Sequence, residues 1–302
     1  MELDLVGIIL VSGIGLIGGC FGGLLGLGGS VFFIPALALL YGPNQHLYQA
    51  AALIVNIFVA ITATLRHRGK GTIQRDLVWL VAVSSAGTAL LGVWLSNLLE
   101  PRPLSAVFGI FLIYAAISEI IRLLRRADGG AFDPASPSRR RQAALIAGIA
   151  GGAASGLLGI GGGAVMVPIL VRFVRLPIRA AVATTSAAMI LTCIVGAMAK
   201  NLAIGSLPDA AGSEISATAP MLLASVLAPA AVLGAYLGAS IVYAIPPTAT
   251  RIVLALLLLG GGARMVAAGV TASKAVAGDG TQADPELMEV ALDRPGPSQE
   301  TE

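Results

Sequence analysis

Two stretches of this chain place glycine where an apolar protein has most use for a broken backbone. Gly23 to Pro35 reads GLLGLGGSVFFIP, and Gly156 to Pro168 reads GLLGIGGGAVMVP. Seven of the thirteen positions are identical. Glycine lets the backbone leave a helix and come close to another chain or a ligand. Within a membrane such a break frees amide N–H groups that lipid cannot satisfy, so it must be buried in protein or line a polar cavity. Each break precedes a short apolar run that reads as a helix, 30–41 and 163–174. The free N–H groups and the positive dipole end of that helix face the break, and together they make an anion site. Ser30 stands where an N-cap would, and Gly163 holds the same place in the second copy. The candidate substrate-contacting residues are Gly26, Gly28, Gly29 and Ser30 with Gly159, Gly161, Gly162 and Gly163. Close helix packing is the competing use of such glycines. The recurrence of the whole pattern, with proline six residues after its last motif glycine (Gly29 and Gly162), favours the anion site.

Polar residues within apolar runs are few. Asn56, Thr184, Thr185 and Ser186 stand out, because QAAALIVN (Gln49 to Asn56) aligns with RAAVATTS (Arg179 to Ser186). They could bond a ligand or join helices. Thr62, Thr64, Ser84, Ser85, Thr88 and Thr192 read as helix-joining residues. No Asp, Glu, Lys or Arg lies at the centre of a run, which argues against a buried carboxylate proton relay. Arg66, His67, Arg68 and Lys200 close helices and read as orientation signals. GIGGGA at 159–164 matches a dinucleotide fingerprint, but no strand precedes it and no βαβ unit fits this hydropathy. Cys20 and Cys193 both lie in apolar runs and read as small core residues.

The elements that must position these residues follow from composition. Of 302 residues 56% are hydrophobic and only 12% charged. A soluble surface cannot be built from so few polar groups, and apolar runs near bilayer length recur along the chain. The fold class is all-α, a polytopic membrane helix bundle. Helix candidates are 5–25, 30–41, 49–65, 77–98 and 104–122, then 143–159, 163–174, 180–200, 217–243 and 247–270. Two diverged repeats are expected, 1–122 and 143–270, joined by a basic cytoplasmic linker over 123–142 and followed by a disordered acidic tail over 271–302. LGVWL (Leu91 to Leu95) aligns with LGAYL (Leu233 to Leu237) in this scheme.

The basic segments are 66–76, the linker, and the turn holding Arg172, Arg175 and Arg179. Five crossings per half put all of them on one side and both termini outside, as the positive-inside rule requires. An odd number per half makes the repeats inverted. The same sidedness follows if the first two helices of each half enter and return as a hairpin. Four spans per half would give parallel repeats and leave the 172–179 turn outside. The N-terminus begins with acidic residues and lacks the basic start of a signal peptide. The basic residues serve orientation, so the pI near 9.1 does not indicate nucleic-acid binding.

These paired motifs, each followed by a short helix and an Ala-rich helix (AAALIVN, AAVATTS), resemble the TauE/SafE family of membrane permeases. The resemblance covers about 5–270. It implies transport of small sulfur-containing anions, such as sulfite or organosulfonates, across the bacterial inner membrane. It departs at Ser30, which replaces the last glycine of a GxGGG pattern. The expectation is a permease, not an enzyme, with a small anion and the bilayer as partners, no cofactor, and a homo-oligomer left open. A passive anion channel, a non-transporting assembly subunit and a membrane enzyme are the rival readings. The two histidines and the loop-bound acids offer an enzyme no HExxH, paired-carboxylate or Ser/His/Asp set.

Overall fold

A computed structural model describes residues 4–68, 72–124, 137–209 and 212–241, with 252, 255, 256 and 258–267. The acidic tail, the middle of the linker and part of the 247–270 candidate lie outside the described residues. Nine α-helices occur among the described elements: α1 Leu5–Leu25, α2 Ser30–Tyr41, α3 Gln45–Arg68, α4 Arg75–Asn97, α5 Pro101–Leu124, α6 Pro137–Leu158, α7 Gly163–Phe173, α8 Ile178–Ala203 and α9 Ala219–Ile241. Residues 258–267 form a further helical segment. No strand occurs among the described residues. Asp4 caps α1, its carboxylate accepting the Gly7 N–H at 2.8 Å. α6 begins at Pro137, so the last part of the stretch read as linker is helical.

Six described spans are long and apolar enough to cross a membrane. α2 and α7, of 12 and 11 residues, are not. At about 1.5 Å per residue each reaches roughly half of a bilayer core. Both return toward the side they came from. Phe33 packs against Gly18, and the Tyr41 hydroxyl bonds the Gly7 carbonyl at 3.4 Å, so α2 folds back along α1. In α7, Met166 packs against Gly151 of α6. The hairpin option, left open by the sequence, is the one taken.

The repeat appears in the contacts. A Cβ built on Gly15, Gly19 or Gly23 of α1 would run into the α9 backbone at Leu227, Ala231 and Ala235. On Gly148, Gly152 and Gly156 of α6 it would run into α4 at Val81, Ser85 and Ala89. Each hairpin therefore packs on the fourth helix of the other copy. Two four-helix units result: α1, α2 and α3 with α9, and α6, α7 and α8 with α4. They meet along α3 and α8 and at the two breaks.

These contacts correct both helix alignments. Gly26 meets Val182 where Gly159 meets Gln49, and both Gly28 and Gly161 meet Asn56 and Met189. Gln49 thus matches Val182, and Asn56 matches Met189, nearly one turn from the alignment with Arg179 to Ser186. Gly92 faces the Ala153 carbonyl of α6; the counterpart carbonyl, that of Cys20, faces Gly238, while Gly234 faces that of Leu16. Ala- and Leu-rich helices look alike when slid by one turn, so residue similarity leaves the register open. Backbone contact at glycine does not.

Arg66 and Arg140, from two of the basic segments, lie at one end. Arg66, where α3 ends, bonds Ser240 at the end of α9 at 3.0 Å, and Arg140 of α6 reaches Gln74 before α4 at 3.4 Å. The opposite end carries the start of α1, the end of α2 and the meeting of Lys200 with His46.

The close packing has a direct test. Gly19→Leu drives a side chain into the Ala231 carbonyl and costs about 1–3 kcal/mol or more. Thermal unfolding in detergent should show a lowered midpoint. Gly13→Leu, with nothing within 4 Å of its Cβ position, should leave the midpoint in place. Equal midpoints would remove this contact from the account.

Candidate functional site

The two breaks cross between the middle of α3 and the middle of α8. Backbone φ is positive at Gly26, Gly28, Gly159, Gly161 and Gly162, the left-handed region that side chains disfavour. A Cβ on Gly28 would sit 3.0 Å from the Ile160 carbonyl oxygen; one on Gly163 would collide with the Gly26 carbonyl and lie 2.9 Å from Leu27 Cα. The eight predicted glycine and serine positions are thus brought together, with the chains of the two breaks in contact.

The helices start at the expected residues, but their N-caps stand one residue earlier than expected. Phe32 and Phe33 both donate to the Gly29 carbonyl, and Val165 and Met166 both donate to that of Gly162. Gly29 and Gly162 are therefore the N-caps, while Ser30 and Gly163 open the helices. Neither cap supplies a side chain. In the first copy Asn56 supplies one from α3. Its carbonyl oxygen accepts the Gly29 N–H at 3.0 Å, and its amide donates to Ser30 Oγ at 2.8 Å. The second copy has Met189 in the equivalent place, its methyl 2.6 Å from the Cβ position of Gly161. Met189 offers the second helix start no side-chain acceptor such as Asn56 offers the first, and helix geometry leaves the first N–H groups of any helix without intrahelical acceptors.

The α8 polar residues divide. Thr184 accepts the Gln74 N–H at 3.1 Å, away from the breaks. Thr185 and Ser186 lie four and three residues before Met189, on the face that meets the breaks. Both are buried, and Thr185 Oγ1 has no hydrogen-bond partner among the described residues. Of the residues read as helix-joining, Ser85 bonds Thr192 between α4 and α8, and Thr88 donates to the Ile149 carbonyl of α6 at 3.0 Å. Cys20 and Cys193 are both free.

A cavity of about 400 Å³ opens beside the first break. Leu27, Gly28, Val31 and Phe32 line one wall, and the helical segment 258–267 contributes Gly261 and Arg264. Arg264 gives this otherwise apolar space a positive edge.

Sequence reasoning missed a second polar cluster. Lys200, read as an orientation signal, is fully buried. Its Nζ donates to Ser96 Oγ at 2.6 Å and Asn97 Oδ1 at 2.7 Å, and lies 2.9 Å from His46 Nδ1. His67 is likewise buried, whereas Arg66 and Arg68 are exposed as expected. The missed signal was weak: a lysine, a histidine and a serine on three separate helix ends.

Comparison with known proteins agrees with this architecture. Residues 11–265 match the family described as Sulfite exporter TauE/SafE. The chain is 28% identical over 254 residues to the probable membrane transporter protein YunE of Bacillus subtilis, covering 78% of this chain and 88% of that one. It is 25% identical over 272 residues to the probable membrane transporter protein MamO of Paramagnetospirillum magneticum, covering 80% of this chain but only 41% of that longer protein. A probable membrane transporter protein of Xylella fastidiosa (strain Temecula1) is 32% identical over 175 residues, 56% of this chain and 64% of that one. No solved structure matches. With paired glycine-broken helices in a multi-pass apolar bundle and the family match running through both copies, the chain belongs to the TauE/SafE family of membrane transporters.

Proposed function

We propose that this transporter carries a small oxyanion, sulfite or an organosulfonate, at the crossing of its two glycine breaks. The observation that carries this reading is the convergence of two helix N-termini in the bundle interior. Backbone N–H groups and two positive dipole ends there favour an anion over a cation. The printed description of the matching family, a sulfite exporter, supports the substrate class. Gly26, Gly28, Gly29, Ser30, Gly159, Gly161, Gly162 and Gly163 supply the cradle, and Asn56, Thr185 and Ser186 polar contacts beside it. Thr184 serves the Gln74 backbone instead.

In the present conformation the breaks touch, so an anion enters only if the units part. The units that would rock are not the two sequence halves. Glycine contacts tie α1 to α9 and α6 to α4, so each moving body borrows a helix from the other copy. Alternation between such bodies, related as inverted repeats, would open the crossing to one side and then the other. We place the protein in the bacterial inner membrane, with the basic end in the cytoplasm and both termini outside.

Two experiments test this reading. The first is flux of labelled sulfite, thiosulfate, sulfoacetate and taurine into proteoliposomes. Wild type should carry at least one with saturation. Gly28→Val with Gly161→Val should abolish it. Asn56→Asp keeps an acceptor for the Gly29 N–H but adds a negative charge, and should lower flux at least about tenfold, the equivalent of 1.4 kcal/mol. Undiminished flux in Asn56→Asp would sink the site. The second is labelling of single cysteines at Arg68 and Ser213, with Cys20 and Cys193 replaced, by an impermeant thiol reagent on intact cells. Only the Ser213 position should react; the reverse pattern would invert the orientation.

A further inference from the structure

The Lys200 cluster is a buried cation without a buried anion. Nζ has three protons as an ammonium, and three neutral acceptors surround it: Ser96 Oγ, Asn97 Oδ1 and His46 Nδ1. No carboxylate bonds it among the described residues. His46 Nε2 lies 3.0 Å from the Leu99 carbonyl, which can only accept, so Nε2 carries a proton and Nδ1 offers its lone pair to Lys200. An ionisable group held inside a membrane protein without a counter-ion is costly, and such groups mark ion and proton pathways.

The other titratable side chains at this end do not compensate it. On α3, Tyr48 donates to the Gly42 carbonyl. At the start of α5, Glu100 and Arg102 are exposed. In the segment after Ser206, Asp209 accepts the Ser213 N–H and Glu214 is exposed. At the head of α1, Asp4 caps its own helix.

The bonds leading away from Lys200 join the two units. Ser96 donates to Gln49 Oε1 at 3.1 Å, and Gln49 Nε2 donates to the Leu157 carbonyl at 3.1 Å. Leu157 is two residues before Gly159, whose Cβ position lies 2.9 Å from Gln49 Cβ. Lys200, Ser96 and Leu157 belong to one unit, and His46 and Gln49 to the other. Asn201 of α8 adds a 3.5 Å bond to the Ala50 carbonyl of α3.

We propose that Lys200 and His46 hold one exchangeable proton whose loss loosens the second glycine break, so that this transporter couples anion movement to protons. With the proton present, Lys200 donates to Ser96, and Ser96 passes its own hydrogen to Gln49. When the proton leaves, Nζ becomes an amine with two N–H groups and a lone pair. It donates to His46 Nδ1 and Asn97 Oδ1, and its lone pair accepts the Ser96 O–H. The Ser96 hydrogen is thereby withdrawn from Gln49, which loses one of the two bonds that hold it against Leu157. The proton passes to water beside Asn97, which is only partly buried. Both states keep every Nζ hydrogen bonded, so the change of charge costs no orphaned group there. At the first break Val182, from the second copy, stands where Gln49 stands at the second, so only the second break is wired in this way.

The coupling to transport rests on the permease reading; the proton-dependent break does not. Hydrogen exchange of the full-length chain in nanodiscs, corrected for intrinsic rates, reads residues 156–163 between about pH 5 and pH 9. Protection should fall as pH rises, through a one-proton titration of about fivefold or more, the lower end of coupling between sites. Lys200→Met and Ser96→Ala, each checked for unaltered elution and helicity, should flatten the titration. A flat wild-type profile, or the same titration in both variants, would overturn the proposal. In proteoliposomes, an imposed pH gradient should drive sulfoacetate accumulation in wild type, and Lys200→Met should lower it at least about tenfold relative to exchange at equal pH, a 1.4 kcal/mol coupling. Gradient-insensitive accumulation by a wild type that does exchange sulfoacetate would overturn the coupling. A wild type that carries no anion at all would instead end the substrate reading, and the exchange titration would still decide the proton.

Discussion

An interrupted helix in an apolar bundle leaves backbone N–H groups that need a partner, and much of this structure answers to that need. Lipid cannot supply one. The chain solves the problem by crossing two interruptions, so that each is covered by the other and by α3 and α8. Close contact demands glycine: a Cβ on Gly163 would strike the Gly26 carbonyl, and Gly28 faces the Ile160 carbonyl. Asn56 then satisfies the Gly29 N–H and orients Ser30 with one amide. The start of α7 has no such side-chain partner, since Met189 stands in the place of Asn56.

The copies share a backbone plan and differ in chemistry. Phe33 fills the space beside Gly18 where Met166 fills that beside Gly151. Asn56 faces Met189, Gln49 faces Val182, and Ser30 faces Gly163 across the same correspondence. Polar reinforcement concentrates on the first break, while the second is held through Gln49 from the other unit. A repeat preserved in its glycines and diverged elsewhere separates two demands. Glycine keeps the crossing possible, and the facing side chains tune each half of it.

Interunit bonding is uneven along the bundle. Mid-way, Ala60, Met189 and Cys193 form a small apolar contact. At the end opposite the basic residues, His46, Gln49, Ser96, Lys200 and Asn201 form a hydrogen-bonded seam. Apolar contacts slide at little cost, whereas directional bonds must break as sets. The polar seam is therefore the end at which a change of protonation has most leverage over the units.

Sequence alone determined the membrane class, nine of its ten helix candidates, the recurrence of the motif and the eight break residues, because composition, run length and repeated glycine are local properties. It also leads one to expect the basic segments on one side, since their alternation follows from counting crossings. Tertiary structure decided the return of α2 and α7, the exchange of fourth helices, and the true register of α3 against α8. Each depends on which backbone touches which, and alanine-rich helices carry no one-turn landmark for that. The same holds for Lys200. A lysine at a helix end reads as a surface charge until His46, Ser96 and Asn97, from two distant helices, are folded around it. Burial is a property of the assembled bundle, and only the assembled bundle turned that charge into an interior one.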